Sequence, residues 1–514
     1  MTRDPRYDIL FEPIKIGPVV AKNRFYQVPH CTGMGYKMPH ADAAFRGLKA
    51  EGGWGVVCNE QCSIHPTSDS TPNAEVRLWD ESDVKRMAPI AEAVHRNGAL
   101  AGVELAHTGV GFGNRYTREV PLAPSHQVVV YNNDPMQARA MDKSDIREFR
   151  QWQVNAAKRA KRAGFDIVYV YAGEGNFALP MNFLSRRRNF RNDEYGGSLE
   201  NRIRLICEML EDTKDAVGDT CAVALRICLK EFVGPLGIES EGREIVEILA
   251  ELPDLWDVNI SDWQYDSAPS RFDGEACQEP YIDFVKNLTT KPVVGVGRFT
   301  SPDTMASQIK RGVLDLIGCA RPSIADPFLP KKIEEGRIED IRECIGCNLC
   351  VASENTVTPL RCCQNPTAAE EWARGWHPEH IPEKGSDSKV LVVGAGPAGL
   401  ECTRALGQRG YSVTLAEGTD ELGGHVAKQC HLPGLATWGR VRDYRVLQIE
   451  KMTNVDVFFE SKLTASQVLE FGAEHVVIAT GSYWRSDGFG RNNWVPIPGT
   501  DRPNVFSPDD IMAG

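Results

Sequence analysis

The sequence has no long apolar run. In 514 residues nothing reaches the stretch of about 20 apolar residues that crossing a bilayer demands, which excludes a membrane-spanning helix. The first residues, MTRDPRYDILFEP, hold no apolar core of signal-peptide length, so the expectation is a cytoplasmic protein. There is no repetitive or biased tract, which excludes low-complexity and repeat architectures. Basic residues are the minority, 58 against 70 acidic, for a net charge of -12. That balance excludes a nucleic-acid backbone as the partner. Histidine is scarce, and none lies between His126 and His377, so chemistry placed in that stretch must use other groups. Cysteine is not scarce. The fifteen cysteines do not have the look of a disulfide scaffold, and closely spaced cysteines in a reducing compartment bind metal.

The length calls for two or three substantial cores. Eight short β-branched apolar runs recur early: 24–29, 54–60, 100–105, 166–171, 222–227, 255–260, 292–297 and 314–320. Helix-like stretches lie between most of them. SDVKRMAPIAEAVHRNG and SDIREFRQWQVNAAKRAKRAG each open with Ser–Asp capping chemistry and end at Gly. Strand–helix alternation repeated eight times predicts an α/β fold with an N-terminal (β/α)8 TIM barrel. The alternative is an open doubly wound sheet, which an early glycine fingerprint would favour and which this sequence does not offer. We divide the chain into a barrel over 1–335, a cysteine segment and connector over 336–383, and a partial Rossmann-like nucleotide domain over 384–514. That last domain stops shortly after the strand–turn VVIATG. Either the chain is a fragment or its nucleotide half is incomplete.

Barrel chemistry collects at the C-terminal ends of the strands. Those ends bring Cys31, Gln61, Glu104 with His107, Tyr171 with Glu174, Arg226, Trp263 with Asp266, Arg298 and Arg321. The loops after strands 7 and 8, GVGRFTSPD and GCARPS, have the place of a phosphate site. Gly295 and Gly297 allow close backbone approach there, and Arg298 and Arg321 suit a phosphate dianion. A phosphorylated flavin fits such a mouth, with Arg226 placed to stabilise negative charge on a reduced ring. The plainer reading of Arg226 is a structural ion pair.

Cys344, Cys347 and Cys350 step evenly by three, and Cys362 follows after eleven residues. Two-residue gaps let thiolates wrap an iron–sulfur cube; Cys363 competes as fourth ligand, and a zinc site is the alternative. GAGPAG, 394–399, follows the strand KVLVV and opens a helix. Gly394 makes the turn, Gly396 admits a pyrophosphate, Gly399 permits close packing, and Glu417 ends the next strand where a ribose hydroxyl would be held. A glycine turn with no ligand is the alternative.

The runs DILFEPIKIGP, NRFYQVPHC, KAEGGW, DEYGGSLENR, GCARPSIADPFLP, CIGCNLC and RGWHPE resemble the iron–sulfur flavoprotein amine dehydrogenases that act on trimethylamine, dimethylamine and histamine. The wider relatives are the old yellow enzymes and 2,4-dienoyl-CoA reductase. The resemblance implies FMN bound through a cysteine to flavin C6, here Cys31, with Pro29 and His30 beside it in VPHC. For Cys31 alone, a buried core thiol would be the better reading. The resemblance further implies one [4Fe-4S] cluster on Cys344, Cys347, Cys350 and Cys362. It implies ADP at Gly394, Gly396, Gly399 and Glu417, a homodimer, and an electron-transferring flavoprotein as acceptor, with Tyr444 matching a surface docking tyrosine.

Three departures from the family pattern stand out. The substrate cage positions are Gln61, Trp263 and Glu354, of which only Trp263 is aromatic; an amine with N–H groups, or with a second cationic end, suits them. Glu354 is otherwise a solvated loop acid. The family's tyrosine–histidine–aspartate set matches Tyr171, Glu174 and Asp266, so Glu174 stands in for the histidine as a base or an ammonium anchor. The third departure is the shorter C-terminal half. The expected activity is oxidative dealkylation or deamination of a small amine. The alternatives are an NAD(P)H-dependent enoate reductase and a non-catalytic electron-transfer flavoprotein.

Overall fold

The computed structural model describes residues 2–69, 75–131, 136–260, 272–355 and 358–513, the side chains of 354 and 355 excepted. The chain forms two compact units, Met1–Trp376 and His377–Gly514. Among the described residues no helix is long and apolar enough to cross a membrane.

Eight parallel strands close the first unit into a barrel. They are β1 (Phe25–Gln27), β2 (Val56–Ser63), β3 (Leu100–Ala106), β4 (Ile167–Ala172), β5 (Ala222–Cys228), β6 (Leu255–Asn259), β7 (Val293–Val296) and β8 (Leu316–Gly318). Closure is explicit in the register: β8 pairs with β1, Ile317 opposite Phe25, and β1 with β2, Tyr26 opposite Val56. The open doubly wound alternative is therefore excluded.

Each strand is buried on both faces, which is why it reads in the sequence as an unbroken apolar run. Alternate residues sort into two cores. Val56, Cys58, Ile167, Tyr169, Ala222 and Ala224 fill the interior. Val57, Val168, Val170, Val223 and Leu225 face the surrounding helices. The antiparallel pair Ile14–Ile16 and Val19–Ala21 packs Ile16 and Ala21 against the interior set, closing one end of the barrel.

The helices form by ordinary local rules. The helix Lys143–Arg162 buries Ile146, Phe149, Gln153, Ala156, Ala157 and Ala160, the spacing of one helical face. Its cap lies two residues before the Ser–Asp pair expected from the sequence. Asp142 accepts the backbone N–H groups of Ser144 and Asp145, and the Asp145 carboxylate returns to the Asp142 N–H. A carboxylate with two such donors outcompetes a serine hydroxyl.

The cysteine segment belongs to the first unit and is pinned where it leaves the barrel. Asp326, fully buried, accepts Lys332 Nζ at 2.8 Å and the Arg342 N–H at 2.7 Å on one oxygen, and the Phe328 N–H on the other.

The second unit has a parallel sheet of four strands, β9 (Lys389–Val393), β10 (Ser412–Ala416), β11 (Val455–Phe458) and β12 (His475–Ile478), in the spatial order β11–β10–β9–β12. It has its own apolar core of Val390, Val392, Leu400, Val413, Leu415 and Ile449. Tyr444, expected on the surface, is only 9% exposed. It lies on the helix Arg440–Glu450, turned inward with Val441, Arg445 and Ile449.

Candidate active site and redox centre

The strand register brings the candidate residues together at the barrel mouth. A bulge in β2 between Cys58 and Gln61 sets Gln61 opposite Glu104 on β3. On the other side Glu104 faces Tyr169 of β4, while Tyr171 lies opposite Arg226 of β5 and Arg226 opposite Asp257 of β6. Bulges re-aim side chains, and here the Gln61 Nε2 group is buried with no hydrogen-bond partner among the described residues.

Arg226 organises the floor. It pairs with Glu104 Oε1 at 2.9 Å and donates to Asp257 Oδ2 through Nε at 3.1 Å and Nη2 at 2.9 Å. Asp257 also accepts the Tyr169 hydroxyl at 3.2 Å. Two acids share one cation, so Glu104 is not fully compensated. Burial raises its carboxyl to about 7, Arg226 draws it down and Asp257 pushes it up. Tyr171 is held well above the ordinary phenol range, first by burial, then by Glu174 and Glu104. Its hydroxyl is therefore held in the protonated form. Arg226 and Cys31 lie within electrostatic reach of it.

The loop of Cys31 is laced into what lies beneath and beside it. Thr32 donates its N–H and its hydroxyl to Glu60 Oε2 at 2.9 and 3.0 Å. Arg46 Nη2 donates to the His30 carbonyl at 2.7 Å, and Lys49 Nζ sits 3.2 Å from His30 Nε2. Burial and these two cations keep the His30 imidazole neutral. The Thr32 carbonyl accepts the Leu360 N–H at 2.8 Å. Gly33, at φ +71°, has no room for a Cβ, which would lie 2.0 Å from the Thr358 carbonyl oxygen. The Cys31 loop is thus stitched to the cysteine segment just before Cys362. None of these ties has a signature in the sequence, because their partners lie far apart along the chain.

Cys344, Cys347, Cys350, Cys362 and Cys363 line one pocket, with Arg321 and Arg361. Cys350 and Cys362 pack against Met34, Phe45 and Ile324. The sulfur of Cys344 accepts the Gly346 N–H, and that of Cys362 the Gln364 N–H, as ligand sulfurs do in clusters. Burial pushes the Cys362 thiol to about 12 and those of Cys344 and Cys350 upward too. Such thiols ionise only for a bound cation. Among the described residues no group of three or more His, Cys, Asp and Glu closes on a single ion. The donor set, four or five cysteine sulfurs around one pocket, fits a multi-atom iron–sulfide group.

The arginines expected at a phosphate are engaged with this segment. Arg298, at φ +53°, donates to the Cys344 carbonyl at 3.2 Å and to the Asp273 carbonyl at 2.8 Å. Arg321 donates to Asn348 Oδ1 at 2.8 Å. Gly297 is explained by packing, since a Cβ there would lie 2.8 Å from Ala276 Cα. Pro29 offers its carbonyl to Arg226 at 3.5 Å. Glu174 is buried, and His107 is buried against Phe149 and Trp152. Trp263 and Asp266 lie outside the described residues, as does the side chain of Glu354, whose backbone is in the helix Leu349–Asn355.

In the second unit the three glycines have three separate reasons. A Cβ on Gly394, φ +100°, would lie 2.4 Å from the Ala479 carbonyl oxygen, and one on Gly399 would lie 1.9 Å from the Gly394 carbonyl oxygen. A Cβ on Gly396 would meet nothing within 4 Å. That is an open cradle at the N-terminus of the helix Pro397–Gln408, which fits a pyrophosphate. Glu417 braces the same loop, accepting the Ala395 N–H at 2.7 Å and the Thr419 N–H at 2.9 Å.

Residues 9–340 match the NADH:flavin oxidoreductase / NADH oxidase family, and residues 388–512 the pyridine nucleotide-disulphide oxidoreductase family. The dimethylamine dehydrogenase of Hyphomicrobium sp. (strain x) is 43% identical over 100% of this chain and 72% of its own length. The structure of histamine dehydrogenase from Rhizobium sp. 4-9 superposes with a TM-score of 0.96 at 58% identity, over 99% of this chain and 74% of that one. The 6-hydroxypseudooxynicotine amine oxidase from Pseudomonas geniculata N1 gives 0.97 at 55% identity, over 100% and 77%. The chain belongs to the NADH:flavin oxidoreductase / NADH oxidase family and, within it, to the flavoprotein group that contains the dimethylamine and histamine dehydrogenases.

Proposed function

We propose that the protein is an amine dehydrogenase that uses covalent FMN and one [4Fe-4S] cluster. It oxidises a small amine, splitting it to an aldehyde and a smaller amine or ammonia. The observation that carries this reading is the acid-rich floor: Glu104 and Glu174 are buried beside Tyr171, and Tyr171 in turn lies within electrostatic reach of Cys31. When bound, FMN supplies two-electron oxidation of the carbon next to nitrogen, and the cluster supplies one-electron passage to an electron-transferring flavoprotein. Cys31 would hold the flavin, and Cys344, Cys347, Cys350 and Cys362 the cluster.

The residues of the chain have three tasks. An amine arrives as an ammonium ion, which has no lone pair, so the site must attract a cation and then remove a proton. Buried carboxylates do the first. Tyr171 cannot do the second, because burial keeps its hydroxyl protonated; Glu174 takes the proton, and the Tyr171 hydroxyl orients it. Gln61 presents a buried amide Nε2 with no partner among the described residues, suited to a substrate nitrogen, and Trp263, Asp266 and Glu354 complete the substrate site. Gly394, Gly396, Gly399 and Glu417 would hold ADP. The working form is a homodimer.

The test is anaerobic bleaching of the flavin with a panel of secondary amines and diamines, compared with NADPH. Bleaching by an amine, with colour retained on the denatured chain, is the expected result. Bleaching by NADPH alone makes the protein an enoate reductase instead, and bleaching by neither makes it an electron carrier.

A further inference from the structure

Cys363 is unlike the other cysteines. Of the fifteen it is the one that is exposed. Its Sγ lies 3.4 Å from Cys347 Sγ, across the rim of the cysteine pocket. The neighbouring Cys362 is turned inward, packed with Cys350 against Met34 and Phe45, and accepts the Gln364 N–H. A four-thiol site therefore leaves a fifth thiol in solvent, within van der Waals contact of one of the four.

We propose that Cys363 is a guard thiol: when iron leaves the pocket under oxidation, it closes a disulfide with Cys347. This rests on the reading that the pocket holds an iron–sulfur cluster. With peroxide as the oxidant, the exposed Cys363 is met first. Its sulfur attacks one peroxide oxygen, the O–O bond breaks, and water leaves behind a sulfenic acid. The Cys347 thiolate, no longer held by iron, then attacks that sulfur. The S–S bond forms and hydroxide departs to take up a proton. Two thiols and one peroxide give one disulfide and two waters. The S–S distance of a disulfide is about 2.05 Å, so the two sulfurs need only small side-chain movements. The bond would keep Cys347 off the irreversible oxidation ladder, and a dithiol would return both sulfurs for rebuilding the cluster.

The chain offers a clean readout. Trypsin cuts after Arg342, Arg361 and Arg374, so Cys347 leaves on 343–361 and Cys363 on 362–374. Holoenzyme is assayed for iron, treated with hydrogen peroxide until iron is lost, alkylated and digested without reductant. The expected product is the two peptides joined, lighter than their sum by two hydrogens, with fragmentation assigning the bridge to Cys347 and Cys363. A dithiol separates them. Cys363→Ser keeps its iron as purified, loses the joined pair after peroxide, and carries Cys347 as sulfinic or sulfonic acid. It then recovers less visible absorbance than wild type when iron and sulfide are returned. Recovery of Cys363 fully alkylated in peroxide-treated wild type overturns the proposal. So does a joined pair that persists in Cys363→Ser, or Cys363→Ser that lacks iron as purified, which would make Cys363 a ligand. Wild type that neither contains nor takes up iron removes the cluster reading itself, and the inference with it.

Discussion

Two carboxyls at the barrel mouth differ in what they do. In the proposed reaction Glu174 is the proton acceptor, because burial and the neighbouring acids hold Tyr171 well above the ordinary phenol range. Glu174→Gln keeps the shape and removes the base, so flavin bleaching by amine in stopped flow should slow by about 10²–10⁴-fold. Tyr171→Phe removes only an orienting donor and should cost less. Equal losses would place both in one unit of catalysis. Glu104 is a matter of stability. Its carboxyl rises from 4.5 to about 7 on folding, so the folded state favours the neutral form. The contribution is fully present below the unfolded value of 4.5 and is lost as pH climbs through about 7. The loss is on the order of 3 kcal/mol. Denaturation of the flavin-free protein at a series of pH values should show wild type losing this much more stability than Glu104→Gln between those limits. Parallel curves for the two proteins would remove the assignment.

At the level of elements, the barrel was legible because its strands are buried on both faces and leave continuous apolar runs; all eight strands fall on the runs read from the sequence. The cap of the helix Lys143–Arg162 was displaced by two residues, since Ser144 and Asp145 look like a start only until Asp142 is seen to accept both of their N–H groups. Motif glycines and cysteines were legible for a local reason: their spacing carries the chemistry. The ties that bring the cysteine segment to the barrel were not, as Thr32 to Leu360 and Arg298 to Cys344 are long-range bonds between unremarkable residues. The places of Arg298 and Arg321 after strands 7 and 8 are legible in the sequence, whereas their bonds to the Cys344 carbonyl and Asn348 Oδ1 are not. The most testable of these ties is the buried pair of Lys332 and Asp326, at 1% and 0% side-chain exposure. Lys332→Met strands a buried carboxylate, which should cost about 3–5 kcal/mol in denaturant unfolding. Since Asp326 also holds the Arg342 N–H, iron content should fall in the same variant. Unchanged stability would mean the carboxylate is relieved by its backbone donors alone.

On the scale of the whole molecule, the two units have separate cores, and each must be stabilised by what it binds. A ligand that prefers the folded state stabilises it by about 2.7 kcal/mol when present at 100 times its dissociation constant. Nucleotide bound at Gly394–Gly399 should therefore raise the melting of the unit over His377–Gly514, read by calorimetry with and without ADP. The glycines separate binding from folding. Gly396 has φ −68°, a value open to any residue, and an added Cβ meets nothing within 4 Å. Gly396→Ala should melt like wild type without ADP and lose the ADP shift, because the methyl group occupies the space of the pyrophosphate. Gly399→Ala has no such freedom, with its Cβ 1.9 Å from the Gly394 carbonyl oxygen, and should lower melting whether or not ADP is present. If Gly396→Ala shifts as wild type does, the nucleotide lies elsewhere. If neither protein shifts, the glycine turn exists for packing alone, and the second unit has no need of ADP to stand.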